Sequence, residues 1–179
     1  MKRLIMCEGP NELEIMRILL RHDKLIFGED DLIGLTPFHA RQITGNALVR
    51  TELNIYPGND VLIMRIGDVQ NEKLIIPEDY RDKIKGIEKY CTKPELEMLL
   101  IIAERLTKEF EKTKSSTTPK EFAKQHIRMG NTRYDNTNQF FNNYFGNRPD
   151  VLTDAIKEYK RIKKAHKKDE LYLANLLKV

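Results

Sequence analysis

The sequence predicts an α/β protein, with a mainly parallel sheet flanked by helices and an α-helical extension at its carboxyl end. Three observations predict it. Short apolar runs at 4–7 and 61–66 stop abruptly at an acid and a glycine, Glu8-Gly9 and Gly67-Asp68, as strands covered on both faces do. Helical periodicity lies between such runs, an alternation that builds parallel sheets. A Ser/Thr-rich stretch at 112–119 then separates them from a remainder that reads as helical.

The elements follow in order. Leu4, Ile5, Met6 and Cys7 make the first strand, and Gly9-Pro10 stops it. Pro10 suits the first turn of a helix, where its missing N–H has no partner to lose. Leu13, Met16, Ile18, Leu19 and Leu20 then recur at helical spacing, with Glu12, Glu14, Arg17 and Arg21 largely on the other face. Residues 31–36 read as a second strand ended by Pro37, and 39–43 as a short helical stretch. Residues 60–66 make the third strand, and 71–76 either extend it as a hairpin or begin the next helix. Residues 84–90 make the fourth strand. An amphipathic helix over 94–112 runs through Leu96, Leu99, Leu100, Ile102, Ala103 and Leu106, opened by Thr92-Lys93-Pro94-Glu95 as a capping box.

Beyond the linker, Thr118-Pro119 opens a helix over 119–129. Phe140, Phe141, Tyr144 and Phe145 share one helical face, which predicts inward packing rather than a stacking surface for single strands. Pro149 opens one or two terminal helices over 149–178. The domain reading is therefore an α/β domain at 1–112 with a helical extension at 113–179 packed on it.

Composition bounds the class. Hydrophobic residues at 40% supply a core, and charged residues at 32% keep the surface polar. Four apolar residues before a glutamate are too few for a signal peptide, and no run reaches membrane-spanning length. Cys7 and Cys91 read as reduced, buried thiols of a cytoplasmic protein. No Cys/His spacing suits zinc, and no glycine-rich phosphate loop is present. The net charge of +4 is unevenly placed: residues 1–150 carry 23 charges of each sign, and residues 151–179 carry eight basic against four acidic. Lys163, Lys164, Lys167 and Lys168 lie in that excess, which is either a nucleic-acid footprint or a solvated helix face.

Glu8, Asp68 and Glu97 are the candidate site residues. Carboxylates at the ends of buried strands are costly unless something uses them, and the carboxyl edge of an open α/β sheet is where ligands bind. Several acids converging there suit a divalent metal ion, Mg²⁺ or Mn²⁺. Glu12 and Glu14 read as solvated acids in a first helical turn, and Glu95 as a cap.

The strand ending in Glu8-Gly9 and followed by a helix resembles the TOPRIM domain, the metal-binding fold of topoisomerases, primases and a set of nucleases. Cys7-Glu8-Gly9-Pro10-Asn11-Glu12 is similar to the opening Cys-Glu-Gly-x-x-Thr-Glu of the RloB-like and AbiL-like TOPRIM proteins of phage defence, without the Thr. The run from Thr92 through Lys93, Pro94, Glu95, Leu96 and Glu97 to Ile101 follows their closing Ser-Asn-Pro-x-Phe-Glu segment in register. The family's central Asp-x-Asp is represented by Asp68 alone: Gln70 stands in the second place, or Arg65 in the first, according to register.

The resemblance implies a TOPRIM-like fold and an Mg²⁺-dependent nuclease of DNA or RNA in abortive infection, with Glu8, Asp68 and Glu97 as catalytic and metal-holding residues. Arg41, Arg65 and Lys93 are then the contacts to phosphate. An ATPase partner would be a separate polypeptide, and homo-oligomerisation is open. The lost carboxylate keeps a second reading in play, a catalytically degenerate module that binds nucleic acid or a partner protein. A third is an adaptor of a mobile element that uses the basic tail as its interface.

Overall fold

The computed structural model describes residues 1–68, 72–163 and 167–179. The chain runs through β1 (Lys2–Cys7), α1 (Pro10–Arg21), β2 (Phe38–His39), α2 (Ala47–Ile55), β3 (Val61–Gly67) and β4 (Ile84–Cys91). It continues through α3 (Met98–Ala103), α4 (Thr107–Thr113), α5 (Pro119–His126), the hairpin of β5 (Arg128–Met129) and β6 (Thr132–Arg133), α6 (Asn138–Phe145), α7 (Pro149–Ile162) and β7 (Glu170–Tyr172). Five strands form one wholly parallel sheet in the order β2-β1-β3-β4-β7. The fold is α/β, with a parallel sheet flanked by helices.

Both faces of the sheet are covered, which is why β1 and β3 read as unbroken apolar runs. Ile5, Cys7, Met64 and Ile66 face a large core built with α1, α3, α5, α6 and α7. Leu4, Met6, Val61 and Ile63 face a smaller core under α2. Local chemistry sets the helix ends. Pro10 opens α1, the Asn46 side chain accepts the Val49 N–H at the start of α2, and Thr118 and Glu121 close a capping box on α5. Phe140, Phe141, Tyr144 and Phe145 are buried on one face of α6, as the packing reading requires.

Several expected elements differ. Residues 31–36 are not a strand: the backbone is left-handed at Gly34 and Leu35, and two 3₁₀ turns, Glu29–Asp31 and Ile33–Leu35, stand there. The second strand is instead Phe38–His39, which meets the stretch read as helical at His39, and the helix follows at α2. Residues 72–76 form neither strand nor helix, and Asn71 lies outside the described residues. The long helix at 94–112 is two. Arg105 takes a left-handed backbone, and the N–H groups of Arg105 and Leu106 donate to the carbonyls of Ile102 and Ile101, closing α3 in a Schellman arrangement. Helix 119–129 ends at His126 and gives way to the β5–β6 hairpin.

The carboxyl-terminal segment also departs from the all-helical reading. Helix α7 stops at Ile162, and β7 joins the main sheet beside β4, pairing Lys89, Tyr90 and Cys91 with Glu170, Leu171 and Tyr172. The boundary drawn at 112 does not divide the core, since Ile15, Phe110, Phe122, Phe141 and Ile156 belong to one cluster. Cys7 and Cys91 are buried and unpaired with each other. Among the described residues, no helix is long and apolar enough to cross a membrane.

Candidate functional site

Strand β2 lies on one side of β1 and β3 on the other, so the connections leaving β1 and β3 part at their carboxyl ends. That divergence opens a crevice in doubly wound sheets. Glu8 is the residue after β1 and Asp68 the residue after β3, and the two ends are tied by a 2.9 Å bond from the Glu8 N–H to the Ile66 carbonyl. Glu97 arrives from the start of α3. These three carboxylates line one cleft of about 370 Å³, with Glu12, Glu95, Arg41 and Lys120 on its walls. Glu8 and Glu97 are almost wholly buried, at 5% and 3% exposure.

Two glycines let the acids approach the backbone. A Cβ on Gly67 would lie 2.1 Å from a Glu8 carboxylate oxygen, and one on Gly9 would lie 2.6 Å from a Glu12 carboxylate oxygen. Gly67-Asp68 is therefore more than a turn after a strand: the glycine is the floor on which Glu8 rests. Each glycine belongs to an acid-glycine pair that ends a strand.

Glu12 departs from expectation. It reads locally as a solvated acid of a first turn, yet its carboxylate lies in the cleft, 3.5 Å from the Thr92 hydroxyl, which donates to it. Burial above all, then the negative charges of Asp68, Glu97 and Glu8, push its carboxyl up to about 7. One turn of helix separates Glu12 from Glu8. That spacing, with Gly9 between them, is the signal that was available in the sequence.

Arg65, read as a contact to phosphate, is buried beside Glu8. Alternation along β3 puts it on the same face as Val61 and Ile63, and its side chain is 2% exposed. Nη2 lies 3.7 Å from Glu8 Oε1, and Nη1 donates to the Glu72 carbonyl at 2.8 Å. A carboxylate as buried as Glu8 requires a counter-charge, and Arg65 supplies it from the neighbouring strand.

Around α3 the acids also divide differently from expectation. Thr92 to Glu95 form no capping box on α3, whose N-cap position is Glu97, without a side-chain cap. Glu95 instead accepts the Lys120 N–H at 2.7 Å, bracing the start of α5, and burial raises its carboxyl above the usual range. Glu97 accepts a 2.7 Å bond from the Tyr134 hydroxyl.

The remaining basic candidates scatter. Arg41 stands exposed at the cleft, its Nε donating to the Glu8 carbonyl at 3.3 Å. Lys93 reaches away to Glu170 of β7, at 2.7 Å, which holds its ammonium above the usual lysine range. Lys163 lines a separate groove of about 970 Å³ between the α4–α5 connection and the end of α7. Lys167 and Lys168 are exposed beyond it, and Lys164 lies outside the described residues.

Among the described residues, no group of three or more His, Cys, Asp or Glu side chains is disposed to hold a metal ion as the side chains stand. The donor types nonetheless fit a hard divalent cation: every acid in the cleft offers carboxylate oxygen. Asn11 Oδ1, on a residue that also lines the cleft, is buried without a hydrogen-bond partner. Comparison of the chain with protein-family models, curated proteins and solved structures finds no match.

Proposed function

We propose that this protein is a nuclease of DNA or RNA that works with Mg²⁺ or Mn²⁺ in the carboxylate cleft. The observation that supports this most is the meeting of Glu8, Asp68 and Glu97, joined by Glu12, at the point where β1 and β3 diverge. The four acids come from three separate parts of the chain, and burial, with their crowding, raises the Glu12 carboxyl. Glu12, Asp68 and Glu97 would hold the ion, with Glu8 in part committed to Arg65. A bound divalent ion polarises a phosphate and lowers the pKa of a water. The chain's own part is to place phosphate by Arg41 and Lys120 at the cleft walls. The resemblance to the phage-defence TOPRIM proteins supports a role in abortive infection in the cytoplasm, with any ATPase partner a separate polypeptide.

The buried Arg65–Glu8 pair favours one other reading. Arg65 compensates Glu8 without a metal, as a catalytically degenerate, nucleic-acid-binding or partner-binding form of the site would need. Thermal unfolding separates the two. An ion at one hundred times its Kd stabilises by about 2.7 kcal/mol, which is about 5–10 °C for a chain of this length. The nuclease reading expects that rise with Mg²⁺ or Mn²⁺, together with ion-dependent cleavage of single- or double-stranded DNA or RNA. Binding without cleavage selects the degenerate module, and neither binding nor cleavage removes both the metal and the chemistry.

A further inference from the structure

We propose that Tyr134 is a positioning residue for Glu97, so that the segment after α5 completes the cleft at the sheet edge. This rests on the divalent-ion reading of that cleft. Tyr134 and Glu97 are 37 residues apart, and the phenol donates to Glu97 Oε1 at 2.7 Å with both side chains buried.

The arrangement is built rather than incidental. The Tyr134 N–H is fixed on the Ile127 carbonyl at 3.1 Å, and its ring packs edge-on against Phe140 and Phe141 with centroids 5.2 and 5.8 Å away. A ring so held leaves its hydroxyl little freedom. Asn136 Oδ1 lies 3.2 Å from the same hydroxyl, on a left-handed backbone that few residues other than glycine adopt, and Asn136 also lines the cleft. A phenol has one proton to give, and the shorter, charge-assisted bond to the carboxylate takes it.

Glu97 shows the other half of the device. Glu97 precedes α3 with a helical backbone, so its side chain is not committed to capping the helix. Its carboxylate is held by Tyr134 on one oxygen, which leaves the other to serve the cleft it lines. Groups that orient an ion's ligands in this way cost about 10–100-fold in metal affinity when lost.

The test measures free Mn²⁺ by electron paramagnetic resonance with the full chain, for the wild type, Tyr134→Phe, Glu97→Gln and the double variant. Tyr134→Phe is expected to weaken Mn²⁺ binding about tenfold at unchanged stoichiometry, and to have no further effect on Glu97→Gln. Wild-type affinity in Tyr134→Phe, or an equal weakening in both backgrounds, overturns the positioning role and leaves the ion site standing. Absence of Mn²⁺ binding by the wild type overturns the ion site and this role with it. Glu97→Asp draws the carboxylate back from the hydroxyl without touching the aromatic cluster, which covers failure of Tyr134→Phe to fold. It too is expected to lose affinity, and wild-type affinity there overturns the proposal.

Discussion

Removing the charge of Arg65 tests the electrostatic design of the sheet edge. Arg65→Met keeps the length and the apolar stem of the side chain and deletes the guanidinium. Glu8 then stays buried, at 5% exposure, with the Arg65 charge at 3.7 Å gone. Breaking a buried pair by removing one partner costs about 3–5 kcal/mol, because the surviving charge is left uncompensated. The bond to the Glu72 carbonyl, at 2.8 Å, is lost as well, a further 1 kcal/mol or so. The two are not strictly additive, so about 4 kcal/mol is expected, or about 8–16 °C in Tm at this length. Urea unfolding at pH 7.5 in EDTA measures it. Adding Glu8→Gln to Arg65→Met removes the stranded charge and should recover most of the loss. An Arg65→Met protein within 1 kcal/mol of the wild type, or a double variant no more stable than Arg65→Met, would refute the counter-charge role.

Two other expectations follow from the cleft. The folded chain holds the Glu12 proton to about 7, against about 4.5 for an ordinary glutamate. Between those values the folded state binds more protons than the unfolded one, so stability falls as pH rises through that window and levels above it. Glu12→Gln should match the wild type near pH 4 and exceed it at pH 8 in divalent-free buffer; parallel urea midpoints across pH 4–8 would refute this. Gly67→Ala sets a methyl against the Glu8 carboxylate and should cost about 1–3 kcal/mol. Gly86→Ala, whose nearest neighbour is the Leu62 Cδ1 at 3.2 Å, is the control, and equal unfolding midpoints for the two would refute the cradle.

What was legible in the sequence follows from how strongly each segment is buried. Strands β1 and β3 were readable because burial selects apolar runs, and the acids closing them marked the sheet edge. Strand β2 has two residues and β7 three half-buried ones, too few for any pattern to show. The break at Arg105 carries no glycine or proline, so helical periodicity ran straight through it. The burial of Arg65 was missed because its residue type suggests phosphate, while its position in the alternation of β3 points into the protein. Glu12 was misread for the opposite reason. The helix-dipole argument is sound for its turn, but Gly9 and the neighbouring strand ends bring a carboxylate cluster to it. Tyr134 had no local signal, since its partner is 37 residues away.

Strand β7 has a consequence for how the molecule is made. Its three residues pair with the last three of β4, Lys89, Tyr90 and Cys91, and Lys89 and Asp169, joined at 3.0 Å, are 80 residues apart in the chain. At about 5–20 residues per second on the ribosome, the nascent chain presents β4 with open N–H and C=O groups for several seconds before its cover is synthesised. An open strand edge invites pairing with other chains. The last strand of the sheet to be made is thus the one that covers the carboxyl end of β4, beside the cleft.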